Sequence, residues 1–205
     1  MKKNLLLSTL LITTLATAGF ASDMEGNTDT KDHRQLRIGI LSGSGTYIVE
    51  NAYGTQSEDR NINSASGYEI SLVSAKSNQD GFDYRSVLTL QFNDWTNKYD
   101  QKFSDIMFLG EGEFAYNINK NVSPFVGYYG GIGTTDATEG WTSNSSSQLT
   151  YDLGLFVGIS GDFYEALGYY AKYNFFSTKG FNVEDDTLGY RMSPTTLRIG
   201  VSYTF

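Results

Sequence analysis

Two glutamates in the run Gly110-Glu111-Gly112-Glu113 lie two residues apart, so in an extended chain both carboxylates project from one face. Such a pair could perform general acid and base work. It could equally serve as the anionic half of an ion-pair cluster with Lys172 and an arginine, which is the preferred reading. The remaining candidates for chemistry are weaker. His33 is the only histidine, and its neighbours offer no convergent base or ligand, so it reads as a solvated tail residue. The run from Gly127 to Gly133 has the glycine density of a phosphate loop but lacks a following helix and a Lys-Ser/Thr pair. Glycines there read instead as residues that let a strand bend under covering tyrosines. Glu184, Asp185 and Asp186 form an acidic loop that could meet a divalent cation, and Trp141, beside the polar segment Thr142 to Ser147, is a candidate for loop contact. No catalytic, cofactor-binding or metal-binding set follows from these residues.

Those side chains must be positioned by strands. Eight runs alternate in the manner of a sheet wetted on one side, near 36–48, 67–76, 84–95, 104–116, 122–134, 149–160, 168–178 and 195–205. The sixth carries Leu149, Tyr151, Leu153, Leu155, Val157 and Ile159 on one face; the seventh carries Tyr169, Ala171, Tyr173 and Phe175. The fifth fits either register, and the first loses its pattern beyond Leu41. Connections at 77–83, 117–121 and 161–167 are short, with turn-forming Asp80-Gly81 and Asn117, Asn119 and Asn121. Those at 49–66, 135–148 and 179–194 are long and 96–103 is intermediate. Trp95, Tyr99, Phe103 and Trp141 flank the longer connections and are expected to form an interfacial girdle.

Periodicity does not say which face is wet, since a soluble lipocalin-like barrel alternates in the same way. Content does. The polar face holds mostly Gly, Ser, Thr, Asn and Ala, the small residues that a narrow barrel interior accommodates. Its charges away from the rims are Arg37, Arg85, Lys172 and Arg198 against Glu69, Glu111, Glu113 and Asp152, four of each sign. Buried charges must be paired. Threading the strands alternately up and down places Arg198, Glu69 and Asp152 toward the outside, Lys172 and Glu111 near the middle, and Arg37, Arg85 and Glu113 toward the opposite mouth.

At the other end of the chain, Lys2 and Lys3 precede an apolar run from Leu5 to Leu15 and the small residues Ala16, Ala18, Gly19 and Ala21, the layout of a cleavable secretory signal. The expected organisation is a signal peptide over 1–21 (cleavage after Ala21, or alternatively Ala18), a mobile leader over 22–35 and a barrel over 36–205. The 205 residues carry a net charge of −8 with no basic stripe, which argues against nucleic-acid partners. The sequence contains no cysteine, so disulfides are excluded. Its mean hydropathy of −0.32 suits strands that alternate lipid-facing with lumen-facing residues.

The last strand places Leu197, Ile199, Val201, Tyr203 and Phe205 on one face and Arg198, Gly200 and Ser202 on the other. Together with the eight-run topology, this resembles the small eight-stranded bacterial outer-membrane β-barrels, the OmpA transmembrane domain, OmpX and Opa kinds, over residues 36–205. The resemblance implies an all-β, antiparallel up-and-down transmembrane barrel, with both chain ends in the periplasm. Tyr203 and Phe205 would act as an insertion signal read by the barrel-assembly machinery. Implied partners are outer-membrane lipid, lipopolysaccharide meeting the acidic loop, and a host or envelope ligand at the loops. Enzymes of this architecture place a catalytic histidine at the outer rim, and His33 lies at the wrong end for that. The expectation is therefore a non-enzymatic barrel with a salt-bridged lumen, its loops used for adhesion, host-factor binding or envelope stability. A narrow porin-like or OmpW-like channel is the alternative.

Overall fold

A strand with one apolar face leaves its backbone groups unpaired at its edges, and in lipid those groups are satisfied only if the sheet closes on itself. The computed structural model, which describes residues 32–51, 60–77, 81–97, 102–137, 147–183 and 188–205, is such a closed sheet. Its strands are β1 (Asp32–Asn51), β2 (Arg60–Ser77), β3 (Phe82–Asn97), β4 (Lys102–Tyr116), β5 (Ser123–Ala137), β6 (Ser147–Tyr164), β7 (Leu167–Val183) and β8 (Leu188–Thr204). Each pairs antiparallel with the next, and β8 pairs with β1. Following paired residues from Ile38 through Ile70, Leu90, Phe108, Ile132, Tyr151, Gly180 and Arg191 returns to β1 at Ile48, a stagger of ten residues. A large stagger on eight strands means steep tilt and a bore that side chains can fill.

Exposure alternates along the strands. Ile38, Ile40, Tyr68, Ile70, Leu72, Leu90, Phe108, Val126, Val157, Tyr173, Ile199 and Val201 point outward, while Arg37, Glu69, Glu111, Lys172 and Arg198 are buried within the bore. The two ambiguous strands resolve. In β5, Phe125 and Tyr129 face in while Val126 and Ile132 face out, and the pattern of β1 inverts rather than fading. Beyond Leu41 its outward residues are Ser42, Ser44 and Thr46, whereas Tyr47 is buried. On β2 Asn61, Asn63, Ser64 and Ser66 face outward and Ile62 and Ala65 face inward. The barrel wall therefore continues past its apolar belt as a collar with polar outside and apolar inside.

Three expectations are corrected, the first two by that inversion. Residues 60–66, 179–183 and 188–194, read as loop, are strand; over 60–66 the outward Asn61, Asn63, Ser64 and Ser66 imitate loop composition. Trp95 and Phe103 do not belong to an interfacial girdle, because both are buried in the bore, where the collar demands apolar contents. Tyr99 and Trp141 lie outside the described residues. The third concerns the leader, since β1 begins at Asp32 and His33 is an exposed strand residue opposite Ala75. Aromatic pairs on the outer surface occur elsewhere: Phe82 with Tyr116 and Tyr84 with Phe114 near the short turns, and Tyr68 stacked on Phe92 at 4.7 Å.

Two irregularities matter for what enters the bore. Between Asn174 and Lys179 the β7 register slips by one residue, and Phe175 and Phe176 both face outward. Such a bulge inverts the facing of every later residue in the strand. A similar slip near Asn63 in β2 turns Ile62 inward. At the short-turn end Gly81 has φ 82°, a left-handed geometry suited to glycine, and the two-residue connection Glu165-Ala166 places Glu165 at φ 38°. The 117–122 turn is tied down by Asn117 N–H donating to the Gly81 carbonyl at 2.8 Å and by Asn121 N–H donating to Asn119 Oδ1 at 2.9 Å.

Candidate functional site

The bore is organised as three ionic levels beneath an apolar cap. Nearest the short turns, β1 supplies Arg37, which donates to both oxygens of Glu113 on β4, at 2.7 and 3.2 Å. Arg85 of β3 lies 3.8 Å from the same carboxylate, donates to Ser160 Oγ at 2.7 Å and reaches Asp83 at 3.4 Å. A planar guanidinium gripping a carboxylate through two hydrogen bonds is the geometry that gives arginine its orientational specificity.

In the middle, Lys172 of β7 donates to Glu111 at 2.6 Å and lies 3.7 Å from Glu69. Arg198 of β8 bridges the same two carboxylates, 3.1 Å from each. Neutral donors complete their shells: Thr89 to Glu111 at 3.0 Å, Tyr170 to Glu69 at 2.9 Å and Gln91 to Glu69 at 3.4 Å. The cations also sit over rings, Lys172 by Phe156 and Tyr170, Arg37 by Tyr170 and Arg198 by Tyr129, at 5.1–5.6 Å from the centroids. Glu111 and Glu113 are thus separated into different levels, each carboxylate engaged by cations.

The upper level centres on Lys179, which donates to Asp105 at 2.5 Å and lies 3.7 Å from Asp152. Trp95 Nε1 donates to Asp105 at 2.7 Å and Asn93 does so at 2.6 Å; Tyr129 and Ser177 serve Asp152 at 3.2 and 3.3 Å. Above it, Leu41, Tyr47, Ile62, Ala65, Trp95, Phe103 and Met192 fill the collar, with Asn97 donating to the Tyr47 hydroxyl at 2.9 Å.

All eight charged residues singled out from the sequence face the bore, but their levels differ from the threading expectation. Arg198 and Glu69 join Lys172 and Glu111 in the middle instead of Asp152 near the outside. Asp152 pairs with Lys179, which the sequence reading left in a loop. Asp105 and Asp83 complete the set, so the buried charges among the described residues are five basic (Arg37, Arg85, Lys172, Lys179, Arg198) and six acidic (Glu69, Asp83, Asp105, Glu111, Glu113, Asp152). Tyr129 and Tyr170 were also missed; for Tyr170 the parity it shares with Lys172 was the available signal, whereas β5 carries no buried charge to mark the face of Tyr129. Tyr203 and Phe205 lie on the outer face, with Phe205 N–H donating to the Arg34 carbonyl at 3.0 Å. Trp141, Glu184, Asp185 and Asp186 lie outside the described residues.

Below the Arg37 level the bore widens into a cavity of about 560 Å³ opening between the short turns, lined among others by His33, Asp83, Arg85, Lys120, Asp162 and Glu165.

An edgeless wall with an apolar exterior and an interior of mutually paired charges is the inverse of a soluble barrel, and it defines a membrane-spanning β-barrel. No family model matches the sequence, and no curated protein matches it. Among solved structures the chain is similar to Neisserial surface protein A, at 13% identity over 82% of this chain and 97% of that one, with a TM-score of 0.46. It is also similar to Ail, the attachment invasion locus protein of Yersinia pestis, at 12% identity over 82% and 98% of the two chains and a TM-score of 0.44. The outer membrane protein OprG from Pseudomonas aeruginosa aligns at 13% identity over 86% and 97%, with a TM-score of 0.49.

Proposed function

We propose that this protein is a non-enzymatic, non-conducting outer-membrane barrel whose surface loops carry its activity in adhesion, host-factor binding or envelope stability. The observation that carries the reading is the filled bore: three ionic levels, each containing both signs, under an apolar cap. A solute pathway would need a hydrated bore of one dominant sign or an open apolar one, and here the ionisable groups are engaged with one another. Tyr203 and Phe205 would serve the assembly machinery during insertion, and Trp141 with Glu184, Asp185 and Asp186 would contribute loop contacts to lipopolysaccharide or an external ligand.

The test is solute flux through liposomes containing the purified chain, with Lys172→Ala and Glu111→Ala alongside wild type. The expected result is a tight wild type and leakage only when a charge of the middle level is removed. Wild-type flux of small solutes would overturn the reading and make the protein a channel.

A further inference from the structure

The two mouths of the bore differ. At the collar end it is closed by apolar and aromatic side chains, whereas at the short-turn end it opens as the 560 Å³ cavity. The Arg37–Glu113–Arg85 level forms the floor, so the cavity is a blind cup and not a vestibule to a continuous path. Its volume falls in the range of small-molecule sites.

The chemistry of the cup favours a positively charged donor. Among the described residues three carboxylates line it, Asp83, Asp162 and Glu165, against Arg85 and Lys120, with His33 at its edge. Arg85 lies 3.8 Å from Glu113, donates to Ser160 at 2.7 Å and reaches one oxygen of Asp83 at 3.4 Å, so it engages that carboxylate on one side only. Asp83 is the informative residue. It is only 8% exposed, its Oδ2 accepts from Arg85 at a long 3.4 Å, and its Oδ1 is buried with no hydrogen-bond partner among the described residues. A buried carboxylate oxygen without a donor carries a desolvation penalty that an ammonium group would remove.

We infer that the cup is a binding site for an alkylammonium group, with the incoming –NH₃⁺ donating to Asp83 and held at its flanks by Asp162 and Glu165. The group could belong to a free diamine or to a lysine side chain of an envelope protein. The barrel's short-turn end, facing the periplasm in the proposed orientation, gives both sources access. This inference does not depend on the loops and stands whether or not they bind anything.

The test is calorimetric titration of the full-length chain, purified from membranes in detergent, with cadaverine and, separately, with Nα-acetyllysinamide. N,N′-diacetylcadaverine is the uncharged control. The expected result is saturable binding of an amine, none of the diacetyl compound, and binding about tenfold weaker or worse in Asp83→Asn, the loss of one charge-assisted hydrogen bond. Glu165→Gln, at an exposed turn position where folding is not at stake, should weaken binding about threefold by the loss of a flanking charge. Tighter binding of cadaverine assigns the site to free diamines; tighter binding of Nα-acetyllysinamide assigns it to lysine side chains. Absence of saturable binding for both amines, or unchanged binding in a folded Asp83→Asn or in Glu165→Gln, would overturn the proposal.

Discussion

Replacing Lys172 with methionine keeps the bulk of the side chain and removes the ammonium group that lies 2.6 Å from Glu111 and 3.7 Å from Glu69. Two buried carboxylates then share the single guanidinium of Arg198, 3.1 Å from each. Thr89, Tyr170 and Gln91 still donate to them, but neutral donors solvate a charge without cancelling it. Removing one partner of a buried pair costs about 3–5 kcal/mol. The mutant has one escape, which is to take up a proton. At pH 7 that costs a carboxyl of ordinary acidity about 4 kcal/mol, and at pH 5 about 1 kcal/mol. The destabilisation should therefore be about 3–4 kcal/mol at neutral pH and should shrink to about 1–2 kcal/mol at pH 5, because acid supplies the missing positive charge. The assay is equilibrium denaturant unfolding in lipid vesicles, followed by tryptophan fluorescence at both pH values. Adding Glu111→Gln to Lys172→Met removes the surplus anion, so the double variant should recover about 2 kcal/mol relative to additivity. A single variant within 1 kcal/mol of wild type at pH 7, a deficit independent of pH, or an additive cycle would refute the assignment of Lys172 as the cation that neutralises the middle level.

Other perturbations isolate single features. Trp95→Phe removes the donor to Asp105 and the ring under Lys179, 5.0 Å from its centroid; it should cost about 1–3 kcal/mol in the same unfolding assay and remove the emission of one buried indole. Gly81→Ala meets nothing among the described residues closer than 3.6 Å but is held at φ +82°, so the loss should be conformational, about 1–2 kcal/mol in the unfolding free energy. Glu165→Gly relieves a side chain held at φ 38° and should stabilise the barrel by up to about 1 kcal/mol, with the same unfolding assay as the check. Deleting Phe176 removes the extra residue of the β7 bulge and lets Asn174, Ser177 and Lys179 alternate in one regular register with β6 and β8, so Lys179 still faces the bore; heat-modifiable gel mobility should show that the chain reaches its folded form.

How much of the bore was legible in the sequence follows from parity. Arg37, Glu69, Arg85, Glu111, Glu113, Asp152, Lys172 and Arg198 alternate with apolar residues in uninterrupted register, and counting by twos finds them. Lys179 escapes because Asn174 and Lys172 share the even positions of β7, and the bulge at Phe175-Phe176 transfers the inward face to odd ones. No composition signal marks that slip. Asp105 keeps the parity of Glu111 and Glu113 but stands near the expected end of its strand, where a charge reads as solvated. The grouping into levels was less accessible still, because it depends on how far each side chain reaches across the bore. Arg198 spans to Glu69 and Glu111 on strands it does not pair with, something a threading by height cannot represent.

The failure at the collar is more instructive, because one physical rule produced both the success and the error. An outward side chain matches the solvent around it, so apolar-out holds only while that solvent is lipid. On β1 the outward residue changes from Ile40 to Ser42, on β2 from Tyr68 to Ser66, on β3 from Phe92 to Asp94, on β4 from Ile106 to Ser104, on β5 from Ile132 to Thr134 and on β6 from Leu149 to Ser147. Several of the outward polar residues beyond that edge are directly paired, Ser42 with Ser66, Ser66 with Asp94, Asp94 with Ser104 and Asp136 with Ser147. Ser104 Oγ donates to Asp94 at 2.5 Å and Ser147 to Asp136, cross-strand bonds that belong in water or headgroups. Inside the wall the contents switch at the same height, from ion pairs to Trp95, Phe103 and Tyr47, since a barrel wetted outside needs an apolar core as a soluble one does. The inversion therefore marks the edge of the hydrocarbon on six strands independently. It also explains why Trp95, placed by sequence in an interfacial girdle, is instead the residue at which the ionic bore ends and the apolar cap begins.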